Sequence, residues 1–595
     1  MKSQIRLTCA INKVHLADPA GCLKEVLRLL DETQDADITV FPKLSLCGAG
    51  CGSLFKNPFL TEACEKALEV LREYTRGRGG YVIVGYVTEH RGGVVSAAAV
   101  MRDGEFVAII PSPSRSIAEF SSSQADTSYC MSDVFTCGSL RFCVLDCELS
   151  DLAARSVDVP ECDLIIVPSY TPMWAGKLEE ITDNVRALSA SIGCAVAVVN
   201  GGVGDTSSPW LYEGFIAVYE RGKHVLSRDA GFAGIAESIA LDSDNSAVQK
   251  IYAKREATAQ EVKPREAAII SQKPFLPENN PEEYLAELFR LQARSLAVRM
   301  DNTGIRKLVI GISGGIDSAS ALLAAVKAVD SIGIPRENII AISMPGPGTS
   351  GRTHANAERL MNALGVSKRE IPIGEAVKLH LSDIGHDGRH DAAYENAQAR
   401  ERTQILMNIA NMEGGLVVGT GDLSEAALGF CTFGGDHIAN YNVNICITKT
   451  VLRELLKYQR NLFKGEAGDA IEDILATPVS PELLPPDEHG DPAQKTEEIL
   501  GPYGLHDFFL YHFVKLNQRP SQICKNAVMA FSGVYDPLFI REKLALFLGR
   551  FCAAQFKRSC SPDAASITEV NLLGVNYYIP SDLNFAALLR ESSEE

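Results

Sequence analysis

The sequence predicts an α/β protein of two domains, and three observations carry that expectation. At 595 residues the chain is long enough for more than one hydrophobic core. Short apolar runs alternate with amphipathic helical stretches in both halves, the pattern of sheets covered by helices. Between the halves, a polar, proline-containing stretch from about Gln260 to Glu283 reads as a join. The expected division is therefore a first domain over 1–265, a join over 266–285 and a second domain over 286–595.

In the first half, Ile5 to Ala10, Ile38 to Phe41, Tyr81 to Tyr86, Val95 to Met101, Phe142 to Asp146, Leu164 to Val167 and Ala195 to Val199 have the β-branched, apolar character of strands. Cys22 to Asp31 and Glu62 to Tyr74 have helical spacing. In the second half a helix is expected over Pro281 to Asp301. Strands follow at Leu308 to Ile312, Ile339 to Met344 and Gly415 to Gly419, an alternation that predicts a doubly wound parallel sheet with its ligand at the carboxyl ends of the strands. Pro478 to Lys495, rich in Pro, Glu and Asp, reads as a loop.

Composition narrows the function classes. Hydrophobic content of 46% and charged content of 22% are ordinary for a globular protein. With 57 basic and 75 acidic residues the net charge is −18, which disfavours nucleic acid as a bulk electrostatic partner. No run reaches membrane-spanning length, and Met1-Lys2-Ser3-Gln4-Ile5 begins no apolar leader. Sixteen cysteines in that setting predict reduced thiols and a cytoplasmic location. Cys47/Cys51 and Cys143/Cys147 are spaced C-x-x-x-C, and no histidine or second pair completes a zinc pattern.

The most informative stretch is Lys307 to Leu322, where an apolar strand runs into Ser313-Gly314-Gly315-Ile316-Asp317-Ser318 and then an alanine-rich helix. Strand, glycine turn and helix aim free backbone N–H groups at an anion on a helix N-terminus. Glycines let the backbone approach it, Ser313 and Ser318 add hydroxyls, and Asp317 is placed to hold a divalent cation against phosphate. No G-x-x-x-x-G-K-[ST] is present, so the common nucleotide loop is excluded. On residues alone the turn could also be a helix N-cap. S-G-G-x-D-S resembles the PP-loop of ATP pyrophosphatases, which release pyrophosphate while adenylating a substrate.

Further polar segments follow strand ends: Met344-Pro345-Gly346-Pro347-Gly348-Thr349-Ser350, the helix starting Tyr394-Glu395-Asn396, Gly419-Thr420-Gly421-Asp422-Leu423-Ser424-Glu425, Gly434-Gly435-Asp436-His437, Ile447-Thr448-Lys449-Thr450 and Phe556-Lys557-Arg558-Ser559. Together, from about residue 275 to Asp582, they resemble the synthetase domain of the glutamine-dependent NAD synthetase family. That resemblance implies ATP-dependent amidation of nicotinic acid adenine dinucleotide (deamido-NAD) through an adenylated carboxylate, with ATP and Mg2+ as cofactors. It implies Ser313, Gly314, Gly315, Asp317, Ser318 and Thr420 around ATP, Asp317 and Glu425 on magnesium, and Lys449 on the transferring phosphate. It places Asn396, Arg402, Phe430 and Lys557 on deamido-NAD and implies a homo-oligomer through this domain. Asp317, Glu425 and Lys449 are the expected catalytic set. The tail departs from the family: after Ser559, where a Gly-Pro-Lys turn and later Ser-Pro-Arg-Gly-Asp-Trp are usual, stand Ala564-Ala565-Ser566 and Leu573-Gly574-Val575-Asn576-Tyr577.

The first half resembles the family's nitrilase-like amidase domain, an α-β-β-α sandwich whose Cys nucleophile, Glu base and Lys oxyanion donor hydrolyse glutamine. Phe41-Pro42-Lys43-Leu44-Ser45-Leu46-Cys47-Gly48 and Cys51-Gly52-Ser53-Leu54-Phe55 follow the family pattern F-P-E-L-x-L-x-G and C-G-D-L-F, with Lys43 in the place of the glutamate. Ser112, in Ile109-Ile110-Pro111-Ser112-Pro113, stands in the place of the lysine, and no lysine occurs between Lys66 and Lys177. Cys147-Glu148 keeps part of the nucleophile signature. A protonated lysine cannot take a proton from the thiol, so the amidase site is expected to be degenerate.

The sequence thus favours an ammonia-using NAD synthetase, with deamido-NAD and ammonia as small-molecule substrates. Two alternatives stand beside it: a non-catalytic nucleotide-sensing homologue, and glutamine-dependent synthesis through an unconventional site or a partner amidase.

Overall fold

A computed structural model of the chain describes residues 4–90, 93–112, 133–145, 160–242, 270–477, 496–574 and 576–592. They form two compact units, Met1–Thr206 with Trp210–Val262, and Ser207–Pro209 with Lys263–Glu595.

The first unit holds two six-stranded sheets. One has the order β12-β1-β2-β3-β4-β5, from β1 (Gln4–Ile11), β2 (Ile38–Val40), β3 (Tyr81–His90), β4 (Gly93–Arg102), β5 (Glu105–Pro111) and β12 (Ile235–Asp242). The other has the order β11-β10-β9-β8-β7-β6, from β6 (Phe135–Cys137), β7 (Leu140–Val144), β8 (Leu164–Ser169), β9 (Ala195–Asn200), β10 (Phe215–Glu220) and β11 (Lys223–Asp229). Successive side chains on a strand point to opposite faces, and here both faces are buried. Ile5, Leu7, Cys9 and Ile11 of β1, Ile83 of β3, and Leu164 and Ile166 of β8 fill the layer between the sheets. Val82 and Val84 turn outward onto helices Pro19–Glu32 and Pro58–Tyr74, while Ile165 and Val167 turn onto helix Lys177–Ile192. The result is an α-β-β-α sandwich, and double burial explains why its strands read as near-continuous apolar runs.

The second unit is built on a five-stranded sheet in which every neighbouring pair is parallel, in the order β15-β14-β13-β16-β17. The strands are β13 (Leu308–Gly311), β14 (Ile339–Ser343), β15 (Ser367–Glu370), β16 (Leu416–Gly419) and β17 (Tyr441–Asn442). From β13 the chain moves outward to β14 and β15, then returns to β16 on the other side. That reversal opens a crevice at the carboxyl ends of β13 and β16. Helix Ile316–Ser331 packs its Ala- and Leu-rich length almost wholly inside. Helix Pro281–Thr303 starts inside the expected join, because Pro281 at its first turn suits a helix start and Asn280 before it turns into the left-handed region at φ 54°. The expected join from 266 to 269, and the loop expected over Pro478 to Lys495, lie outside the described residues.

The segment after Ser559 closes the sheet margin. The Asn442 N–H donates to the Asp563 carbonyl at 2.9 Å, Tyr441 and Asp563 form a parallel bridge, and the Thr568 hydroxyl donates to the Cys446 carbonyl at 2.7 Å. Ala564, Ala565 and Ser566 are buried there. Small side chains fit this slot, where a lysine would bring an ammonium into a sealed space.

A helical cluster, Tyr503–Leu510, Pro520–Ala530 and Pro537–Ala553, covers one side of the unit around Phe508, Phe509, Phe547 and Phe551. His506 sits within it. Its Nε2–H meets the Leu500 carbonyl at 2.9 Å, and its Nδ1 is buried without a partner. Burial pushes this imidazole down to about 4 from an ordinary value near 6.5. The unfolded chain therefore takes up this proton first as pH falls. The contribution is complete above pH 6.5 and is lost toward pH 4, by about 3 kcal/mol at most. Urea denaturation of the wild type should weaken over that window, and His506→Gln should flatten the dependence. Parallel losses in both proteins would refute this assignment.

Candidate active site

The crevice predicted by the strand order is a cavity of about 490 Å3. Ser313, Asp317, Ser318, Thr420, Glu425, Asn396, Arg402 and Phe430 all line it. Gly314 and Gly315 form the turn between Ser313 and Asp317. Gly314 has φ +86°, and a Cβ there would stand well inside contact distance of the Thr353 carbonyl oxygen, so this position takes glycine. The turn is held by its own hydroxyls. The Ser313 N–H donates to Ser318 Oγ at 3.3 Å, the Gly315 N–H to Ser313 Oγ at 3.2 Å, and the Ser318 hydroxyl to the Gly315 carbonyl at 3.2 Å.

On the floor, Lys449 meets three carboxylates: Asp317 Oδ1 at 2.7 Å, Asp422 Oδ2 at 2.8 Å and Glu425 Oε1 at 3.0 Å. Its ammonium lies 5.7 Å from the centre of the Tyr503 ring. Burial alone would lower the lysine, but the surrounding carboxylates outweigh it and hold the ammonium well above its usual range. Burial raises Asp422 well above the usual carboxylate range and pushes Glu425 up to about 7. Asp422 and Glu425 are fixed by a reciprocal capping box at the start of helix Leu423–Leu428. The three carboxylates each offer an oxygen within 4.8 Å of the others. Three carboxylates against one ammonium leave two formal negative charges when all are ionised, the charge of one divalent cation. An all-oxygen donor set of this kind suits Mg2+ completed by phosphate oxygens and water.

A second layer holds this floor. The Lys449 N–H donates to Ser424 Oγ at 2.8 Å, and the Ser424 hydroxyl donates to buried Asp507 at 2.5 Å. The Thr450 hydroxyl donates to the other Asp507 oxygen at 2.6 Å. Asn444 Nδ2 donates to the carbonyls of Asp317 (3.0 Å) and Thr420 (2.8 Å), tying the glycine turn to the β16 edge, and Gln292 Nε2 donates to Asn444 Oδ1 at 2.7 Å. Sequence reading misses Asp422, Asn444, Gln292 and Asp507. Only Asp422 carries a local signal, the D-x-x-E spacing of a capping box.

The outer residues divide. Arg402 Nε donates to the Met344 carbonyl at 3.1 Å while lining the cavity, and Asn396 Oδ1 accepts from the Thr432 hydroxyl at 2.8 Å. Lys557 does not line this cavity. Its ammonium donates to the Gly429 and Cys431 carbonyls at 2.7 and 2.6 Å and so clamps the turn carrying Phe430. It borders a separate recess of about 30 Å3 with Asp422, Glu425 and Arg558.

In the sandwich unit, Lys43 follows β2 and is 3% exposed. Its Nζ donates to Ser112 Oγ at 3.0 Å, so the two positions where a glutamate and a lysine are expected, 69 residues apart, touch. Nearby, buried Asp205 accepts from the Ala49 and Gly50 N–H groups at 2.7 and 3.0 Å and from the Tyr170 hydroxyl at 2.6 Å, fixing the loop beyond Lys43. Cys147 lies outside the described residues.

The chain thus joins an α-β-β-α sandwich to a doubly wound parallel sheet with a glycine turn over an acidic floor. Residues 289–535 match the NAD synthase family model. The chain is 28% identical over 672 aligned residues to the glutamine-dependent NAD(+) synthetase of Mycobacterium tuberculosis strain H37Rv, covering 99% of this chain and 98% of that protein. The fold is shared with the crystal structure of a glutamine-dependent NAD(+) synthetase from Cytophaga hutchinsonii (TM-score 0.78, 14% identity, 100% of both chains covered). It is also shared with the Acinetobacter baumannii glutamine-dependent NAD+ synthetase in complex with ADP (TM-score 0.63, 21% identity, 97% of this chain and 98% of that one). Over nearly its whole length the chain is similar to glutamine-dependent NAD(+) synthetases, and residues 289–535 carry the NAD synthase match. No described helix is long and apolar enough to cross a membrane.

Proposed function

We propose that the protein is a cytoplasmic NAD synthetase that amidates deamido-NAD with free ammonia and ATP. The observation that carries this reading is the contrast between its two sites. The synthetase floor brings Asp317, Asp422, Glu425 and Lys449 together under the PP-loop, whereas the amidase position presents buried Lys43 paired with half-buried Ser112 where a glutamate and a lysine are needed.

In this reading the backbone and hydroxyls of Ser313 to Ser318, with Thr420, bind the ATP phosphates. Asp317, Asp422 and Glu425 would hold Mg2+, which when bound neutralises phosphate charge. Lys449 puts a fixed positive charge beside the transferring phosphorus, and Asn396, Arg402 and Phe430 orient the dinucleotide. The nicotinate carboxylate oxygen attacks the α-phosphorus and pyrophosphate leaves. Ammonia then adds to the acyl carbon, a proton is released, and AMP departs as NAD forms. The protein supplies alignment and electrostatic relief and needs no nucleophile of its own. Lys557 acts as a positioning residue for Phe430. A second copy bound through the synthetase domain belongs to this reading. The exposed Phe433 and Phe556 rings, 5.3 Å apart near the Phe430 turn, support it, and light scattering should give a mass above one chain.

The test is to incubate the purified protein with ATP, magnesium and deamido-NAD, supplying ammonium or glutamine. NAD should form with ammonium and fall by about 10³-fold or more with glutamine alone. Glutamine-driven synthesis at a comparable rate, abolished by Cys147→Ala, would overturn the loss of amidase function. No NAD from either nitrogen source would overturn the synthetase reading.

A further inference from the structure

We propose a transition-metal site formed by His354, Glu358 and Glu370 at the rim of the nucleotide cavity, separate from the acidic floor. His354 and Glu358 are four residues apart on helix Gly351–Leu364 and so share one face. Glu370 ends β15, opposite Ser343 at the end of β14. The three side chains each offer a ligand atom within 4.8 Å of the others.

His354 Nε2 stands 3.5 Å from Glu370 Oε2. That is too long for a good hydrogen bond. It matches the edge of a tetrahedron of N and O ligands each about 2.1 Å from a zinc ion, which is about 3.4 Å. The other ring nitrogen, Nδ1, faces Ser343 Oγ at 3.4 Å, the position from which an outer partner orients a ligating imidazole. Two carboxylates and one imidazole leave a coordination position open.

The donor sets separate the two sites by chemistry. The floor offers oxygen alone and suits magnesium, whereas a histidine brings selectivity for zinc, cobalt or nickel. His354 and Ser343 both line the 490 Å3 cavity, so a cation here acts at its rim. One group competes for the site: Lys368 Nζ donates to Glu358 Oε1 at 3.1 Å.

That competition supplies a test that misfolding cannot imitate. The full-length protein, with magnesium in excess, is titrated with Co2+ and followed by its visible absorption. The wild type should bind one cobalt with bands of an N/O site and no thiolate-to-cobalt charge transfer. His354→Ala and Glu370→Gln should each weaken binding by about tenfold or more. Lys368→Met, which releases Glu358, should tighten it several-fold. Unchanged affinity in His354→Ala, a thiolate signature, or no cobalt uptake by the wild type would overturn the proposal.

Discussion

Lys449→Met is expected to lower NAD formation by about 10²–10³-fold while the protein still binds ATP, because in the proposed function the lost group acts on charge that develops during transfer. The geometry gives the reason. One ammonium lies within 3.0 Å of three carboxylates that are themselves largely buried. Without it, three like charges would crowd a space 4.8 Å across, and at least one would hold a proton instead. Breaking such a buried set costs about 3–5 kcal/mol in the absence of any other cation. Magnesium should restore part of that stability in Lys449→Met and add less to the wild type. Lys449→Arg keeps the charge but replaces a compact ammonium with a planar fork that cannot meet the same three oxygens, so it should rescue stability more than rate. Turnover of Lys449→Met within tenfold of wild type would remove Lys449 from the catalytic set.

Gly314→Ala is the second large effect, and Gly315→Ala is its control. At Gly314 a side chain meets both φ +86° and the Thr353 carbonyl, so turn or helix must move. The left-handed backbone alone costs about 1–2 kcal/mol for an L-residue. Displacing the turn proposed to bind phosphate by about 1 Å can cost another 10²-fold in rate. At Gly315 φ is −95° and the nearest atom to an added Cβ is Ser313 Oγ at 3.5 Å, an ordinary contact. The melting temperature should therefore fall in Gly314→Ala and hold in Gly315→Ala. Equal losses in both would show that Thr353 imposes no special constraint on the turn.

Much of this site is legible in the sequence because its chemistry is local. Leu308 to Ser318 declare a strand, a turn and the start of a helix in eleven residues, and Asp422-Leu423-Ser424-Glu425 spells its own cap. Lys43 and Ser112 are readable as misfits within otherwise well-kept segments, and the structure brings them into contact. The braces are a different matter. Gln292 reaches Asn444 across 152 positions, and Asn444 reaches Asp317 across 127; amides at such separations leave no periodic trace. Lys557, placed on the dinucleotide by resemblance, gives two of its ammonium protons to backbone carbonyls, a contact that no sequence pattern announces.

The fold divides along the same line. Buried strands such as β1 and β8 announce themselves by apolar runs. The exposed edge strand β11, Lys-His-Val-Leu-Ser-Arg-Asp, and the charged β15, Ser-Lys-Arg-Glu, do not, because their place is set by a neighbour's free hydrogen-bonding edge rather than by their own side chains.

The segment from Asp563 to Thr568 gives the carboxy-terminal stretch a protective duty. By lying along Tyr441 and Asn442 it shields the short outermost strand from pairing with another molecule, a recognised route to aggregation. A protein clipped before Asp563 would lose that guard, so proteolysis there threatens solubility before it touches chemistry.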